Sequence, residues 1–332
     1  MNFVRNAGFS RRSFVRRAMF GAVAAGAMIG AGRSEAKPES AGTKLILLGT
    51  GGGPIIRQRR SQPANLLLCD GTPYLIDCGV GTIGQLLRAG YRPVDLRAAF
   101  ITHNHWDHNG DLAPIIGFDW IEGRRQPLDL VGPPGTRTMT NAALEYFSVP
   151  ERIFSQEALH HANAAQLIRV NEVNAGGVIY KDDKISVTAV ENTHYANFRS
   201  DVDKSFSYRF NTPTRSIVFT GDTGPSDAVA QLAAGADVLV TEVIDADAAI
   251  IAASKDVGVK PDFNGVLAQH MRREHLVPEE VGKLAARAGV KMVVLSHIAP
   301  ALDDDIDVSH YVDGVRKYYN GCVIAGMDLL EI

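Results

Sequence analysis

Short apolar runs recur along the chain from residue 44, separated by segments of helical period. Lys44-Leu-Ile-Leu-Leu48 is the first such run and predicts a strand. Residues 65–69 and 74–77 predict two more, joined by Asp70-Gly71, a hairpin signal. Residues 98–102 and 128–131 read as buried strands, and 185–190 alternates as a strand does. Residues 205–210 and 216–220 predict a pair across Asn211-Thr-Pro-Thr. Residues 238–242 and 291–295 complete the set, with Glu242 and Ser296-His297 expected at strand ends. Helices are predicted over 81–89, 111–121, 136–147, 227–234 and 278–288, the last with Pro278 near its first turn. Strands alternating with helices at this pitch imply an α/β fold. Residues 151–174 show no clear period, and His160 and His161 within them read as surface residues.

The N-terminus breaks the pattern. Ser10-Arg-Arg-Ser-Phe-Val15 carries paired arginines, and a small-residue apolar run follows over 18–31. That run is shorter than the roughly 20 residues a spanning helix needs. Ser34-Glu-Ala36 then offers a small-residue cleavage site. Residues 1–36 therefore resemble a twin-arginine signal peptide, with a retained anchor or a basic tail as alternatives. Export to the periplasm through the twin-arginine translocase is expected, with no stable membrane association after the signal is removed. Residues 37–332 are expected to form one domain.

The 332 residues are 45% hydrophobic, which is ample for a sizeable core. Net charge is −3, so no basic footprint for nucleic acid is present and none is expected as a partner. Three cysteines, Cys69, Cys78 and Cys322, are an odd number without metal-like spacing and read as buried thiols rather than a disulfide framework. The sequence leaves a homodimer open.

The chemistry concentrates in Ile101-Thr-His-Asn-His-Trp-Asp-His-Asn-Gly110. It places His103, His105, Asp107 and His108 between a strand and a helix. Neutral imidazole and carboxylate are preferred zinc ligands, and α/β folds put their chemistry at strand ends. A histidine-rich surface loop is the alternative. Further candidates follow later strands: His194 in Glu191-Asn-Thr-His-Tyr195, Asp222 in Gly221-Asp-Thr-Gly224, and His297. Each taken singly could be a structural or turn residue. Asp77 closes the third strand, and the Gly49-Thr-Gly-Gly-Gly-Pro54 turn is expected to bring bare backbone near the site. Glu242 reads equally as a pocket residue or a plain strand terminus.

These motifs, in this order, resemble those of metallo-β-lactamase-fold hydrolases. The resemblance covers nearly all of the chain from Lys44 onward. It implies a four-layer αββα sandwich with metals in a cleft at one edge. It further implies two zinc ions, with Mn2+ or Fe as alternatives. His103, His105 and His194 would hold one; Asp107, His108 and His297 the other; Asp222 would bridge them. Asp77 would orient the metal loop without touching metal, and Asp107 would also orient the attacking water.

Asn192-Thr-His-Tyr195, Phe206-Ser-Tyr-Arg-Phe210 and Phe219-Thr-Gly-Asp-Thr-Gly224 resemble the ribonuclease Z and arylsulfatase-like branch. So does His275 before the helix at Pro278, which implies a proton donor to the leaving group. The branch's His-Ser-Thr reads His275-Leu-Val here. His194 and Asp222 stand only 28 positions apart, leaving no room for a tRNA-gripping arm. A small phosphodiester or sulfate ester is therefore the expected substrate, with Tyr195, Phe198 or Trp106 as cleft walls. A lactonase or β-lactamase is the next reading, a ribonuclease Z-type endonuclease less favoured, and a non-enzymatic metal-binding module the least.

Overall fold

The computed structural model describes residues 42–332, except 158–161, 198–199, 201 and 305–306. The predicted export signal, with Arg11, Arg12 and Ala36, lies outside the described residues, as do His160, His161 and Phe198. Six strands form a first sheet in chain order: β1 (Thr43–Gly49), β2 (Ala64–Cys69), β3 (Thr72–Ile76), β4 (Ala98–Phe100), β5 (Leu128–Gly132) and β6 (Ile168–Glu172). Seven form a second: β7 (Gly177–Lys181), β8 (Ser186–Glu191), β9 (Phe206–Asn211), β10 (Ser216–Phe219), β11 (Val238–Ile244), β12 (Met292–Ala299) and β13 (Cys322–Ala325), again in chain order from β7 to β13.

Both sheets are mixed. β1, β2 and β3 pair antiparallel, then β3 to β6 run parallel. β7 to β10 pair antiparallel, then β10 to β13 run parallel. The β2–β3 turn has both Asp70 and Gly71 at positive φ, as a tight two-residue hairpin requires.

Strand alternation sorts the apolar side chains into layers. Leu45, Leu47, Ile76 and Phe100 face inward and meet Phe206, Tyr208, Phe210 and Val240 of the other sheet. Phe100 packs edge-on against Phe210 at 5.0 Å. The opposite face of the first sheet, with Ile46, Leu48 and Leu66, buries Leu86, Leu112 and Ile116 of covering helices. The outer face of the second, with Val218, Leu239 and Leu295, buries Val229, Val281, Leu284 and Val315. Period-2 strands with apolar residues on both faces thus produce the αββα sandwich. Among the described residues, no helix is long and apolar enough to cross a membrane.

Two departures of the strand limits from the sequence reading bear on the site. β11 continues past Glu242 to Ile244, and β12 past His297 to Ala299. A bulge explains both. Between the pairs Thr241↔Leu295 and Val243↔Ile298, two residues of β12 face one of β11. Such an insertion kinks a strand and re-aims a side chain without ending the ladder. His297 takes φ 42° at this point.

Candidate metal centre and acid–base pair

The centre is built where strands of both sheets end or bulge. β4 delivers the loop 101–105, which leads into a short helix, Trp106–Asn109. The second sheet pins this loop: the Phe206 N–H donates to Thr102 O, and the Tyr208 hydroxyl donates to Ile101 O at 2.7 Å. Asp77 holds it from the other side. Its Oδ1 accepts the Thr102 N–H at 2.7 Å, and its Oδ2 lies 2.9 Å from His108 Nδ1. Asp77 itself sits at φ 57°, so the turn after β3 aims the carboxylate inward.

His103, His105, His194 and Asp222 bring one nitrogen or oxygen each within 4.8 Å of one another. Asp107, His108 and His297 form a second such group, and Asp222 also joins His297 and Glu242. His105 Nδ1 lies 3.2 Å from His103 Nε2 and 3.1 Å from His194 Nε2. Donors about 2.0–2.1 Å from a tetrahedral zinc stand roughly 3.3 Å apart, so this spacing fits an ion between them. Asp222 faces both groups. Its Oδ1 is 3.3 Å from His108 Nε2, and its Oδ2 is 3.1 Å from His297 Nε2 and 3.7 Å from His103 Nε2.

The buried atoms that make no hydrogen bond test the fit further. They include His108 Nε2, Asp222 Oδ1 and His297 Nε2. An unpaired buried polar atom is costly, and several converging on one point match a cation centre. Meanwhile the outer nitrogens are anchored: His108 Nδ1 by Asp77, His103 Nδ1 by Thr102 Oγ1, and His194 Nδ1 by Glu274 O at 2.9 Å. Such partners fix ring orientation. The residues present therefore fit two divalent ions.

Protonation differs between the two groups. Burial and neighbouring imidazoles hold His103 and His194 well below the usual histidine range. At His108 and His297 burial acts in the same direction, but Asp222 and the nearby carboxylates outweigh it. His297 is pushed up to about 10. Asp107 is held down to about 2: burial opposes this, and His108 and His297 outweigh it.

The glycine-rich turn packs where the sequence places it. The Gly53 N–H donates to Asp107 Oδ2, and a Cβ on Gly52 would stand 2.5 Å from His297 Nδ1. Glycine is required there because His297 already fills the space.

Beside the two groups lies a buried pair, His275 and Glu242. His275 Nδ1 is 2.7 Å from Glu242 Oε2, and Glu242 Oε1 accepts the Thr223 N–H. Burial alone would depress His275, but the Glu242 carboxylate outweighs it and raises the pKa. Glu242 is thus a partner of His275, not a bare strand terminus.

His270 was not legible as a site residue. It lies on helix Val266–Arg273, holds Glu274 Oε2 at 2.7 Å, and groups with His194 and His275. Its only sequence signal is a position five residues before His275. Of the expected walls, Trp106 lines the cleft, whereas Tyr195 packs on the rings of His103, His105 and His194.

Comparison with known proteins agrees with this geometry. Ribonuclease Z of Mycolicibacterium paratuberculosis is 31% identical over 264 residues, covering 78% of this chain and 87% of that protein. The crystal structure of human tRNase Z, short form, superposes with a TM-score of 0.61 at 20% identity, over 87% of this chain and 98% of that one. Zn(2+)-bound PqqB from Methylobacterium extorquens gives 0.61 at 17% identity, over 87% and 99%. Residues 72–298 match the family model for the beta-lactamase superfamily domain, and the chain belongs to that superfamily of metal-dependent hydrolases, with the metallo-β-lactamase fold.

Proposed function

We propose that the protein is an exported hydrolase of small phosphodiesters or sulfate esters that works with two zinc ions. The observation that carries this reading is the convergence of six buried or half-buried donors around Asp222, two of which, His108 and His297, turn an orphaned Nε2 to its carboxylate. In the proposal His103, His105 and His194 hold one ion and Asp107, His108 and His297 the other, with Asp222 shared. Mn2+ or Fe would suit the same donor types.

Bound there, two divalent ions supply an acidified water and polarise the electrophile's oxygen. The chain's own residues do the rest. Asp107, fixed by the Gly53 N–H, is placed to orient the water. His275 holds a proton because Glu242 stabilises its charged form, and it lines the cleft beside Asp222 and His297. It gives that proton to the departing oxygen. Asp77 keeps His108 turned inward throughout.

A ribonuclease Z reading has its own support, since a relative of that name shares 31% identity. Against it, Arg57 is the one Lys or Arg among the described residues that line the cleft, and Asp256 pairs with it at 2.7 Å. Gripping a nucleic-acid strand relies on several free cations. The test is one zinc-loaded sample offered bis-nitrophenyl phosphate, nitrophenyl sulfate, a lactone, a cephalosporin and precursor tRNA at physiological salt. Turnover of the first two is expected. Site-specific removal of a tRNA 3′ trailer, or activity on the lactone or cephalosporin alone, would overturn the proposal.

A further inference from the structure

A cleft of about 450 Å³ opens from the centre, and its walls are far more apolar than its floor. The floor is His105, Asp107, Asp222, His275 and His297. The walls include Ile244, Ala252, Leu267, Met271, Ala299 and, at the rim, Trp106. Two helices supply much of this lining: Ala246–Asp256 with Ala249 and Ala252, and Val266–Arg273 with Leu267 and Met271. Ile244, Ala249 and Ala299 are buried together, with Met271 packed against them. At one side Arg57 and Asp256 neutralise each other across 2.7 Å, tying the segment after the glycine-rich turn to the first helix. A charged substrate moiety would find no free cation on these walls among the described residues.

We propose that the substrate carries one uncharged, bulky apolar group, an alkyl or aryl arm, on the ester that the centre cleaves. The arm lies between helices Ala246–Asp256 and Val266–Arg273 while the ester reaches Asp222 and His275. This rests on the hydrolase reading above for the ester, but the arm's subsite rests on the walls alone. Pockets that bind small molecules are commonly apolar with a few placed polar groups, and this one has its polar groups confined to the reacting end. A nucleotide sugar or a second anionic phosphate would leave its polar groups unpaired against Ile244, Ala252 and Met271.

Binding tests the subsite apart from turnover. Methyl-, butyl- and octylphosphonate are titrated into the zinc-loaded full chain by calorimetry. Each buried methylene adds about three- to fourfold in affinity, so octylphosphonate with about four methylenes buried binds roughly 100-fold tighter than methylphosphonate. Ala252→Trp, which fills the cleft, and Leu267→Ser, on a partly exposed wall residue, should both shrink that ratio. Leu267→Ser provides the readout if Ala252→Trp does not fold. Equal affinity across the series, or a ratio that neither variant changes, overturns the inference. In parallel, alkyl nitrophenyl phosphodiesters of the same lengths are assayed for turnover. A rising binding series with no turnover of any diester would keep the apolar subsite and reject the phosphodiesterase reading. Turnover that does not depend on chain length, with flat binding, would do the reverse.

Discussion

His275 Nδ1 stands 2.7 Å from Glu242 Oε2, and both side chains are buried beside a centre dominated by imidazoles. That contact keeps a proton on His275 against the pull of burial. His275→Ala should lower turnover of poor leaving groups about 10²–10⁴-fold, as loss of a general acid does, while metal content stays unchanged. Nitrophenyl esters should lose less. Glu242→Gln should move the alkaline limb of the pH–rate profile to lower pH. The sign follows because the acid form is active and burial would lower its pKa, while the Glu242 carboxylate is the largest of the groups that raise it, with Asp222 adding to it. An unmoved limb, or equal loss for every leaving group, contradicts the role.

Asp77 should matter for metal without touching it. It accepts the Thr102 N–H and hydroxyl and faces His108 Nδ1. Loss of such an outer partner typically lowers metal affinity about 10–100-fold. Asp77→Ala should show this in competition with a chromogenic chelator. An unchanged affinity would mean that the loop holds its shape through Phe206 and Tyr208 alone.

Metal loading should release protons. In the metal-free chain His108 and His297 have raised pKa values, His297 to about 10, so both are charged at neutral pH. Zinc takes only neutral imidazole, so binding at this group must displace their protons. Apparent affinity should therefore rise with pH from neutrality toward about 10. Calorimetry at pH 7 in buffers of different ionisation enthalpy should report on the order of two protons released for the fully loaded chain. Zero protons released would contradict the assignment of His108 and His297.

The export proposal rests on Arg11, Arg12 and the cleavage site at Ala36. Replacing both arginines with lysine should leave unprocessed precursor in the cytoplasm, seen by fractionation. Normal periplasmic accumulation of that variant would refute it.

Much of this architecture was legible because the buried strands announce themselves. β1 to β5 and β10 to β12 are largely apolar runs, β8 and β9 alternate apolar with polar residues, and most of the donors follow one of these strands. The edges were not legible. β6 and β7 expose alternate or successive residues and carry polar ones, so their sequences resemble loops. The two cleft helices were missed for a related reason: Val266–Arg273 turns Leu267 and Met271 to the cleft and buries only Ala268 fully. His270 went unread with it. His297 is expected at a strand end, whereas it lies inside β12 at a bulge that depends on pairing with β11, which no local pattern encodes.

Metal stoichiometry of the wild type and of Asp222→Ala, read by mass spectrometry alongside bis-nitrophenyl phosphate turnover, tests the central claim most directly. Asp222 faces both groups, with Oδ2 3.7 Å from His103 Nε2 of one and 3.1 Å from His297 Nε2 of the other, and Oδ1 3.3 Å from His108 Nε2. The wild type should carry about two ions per chain, as two facing donor sets require. Asp222→Ala should lose metal and turnover together. An active wild type holding no more than one ion, or an Asp222→Ala variant that keeps two ions and near-normal turnover, would contradict the account.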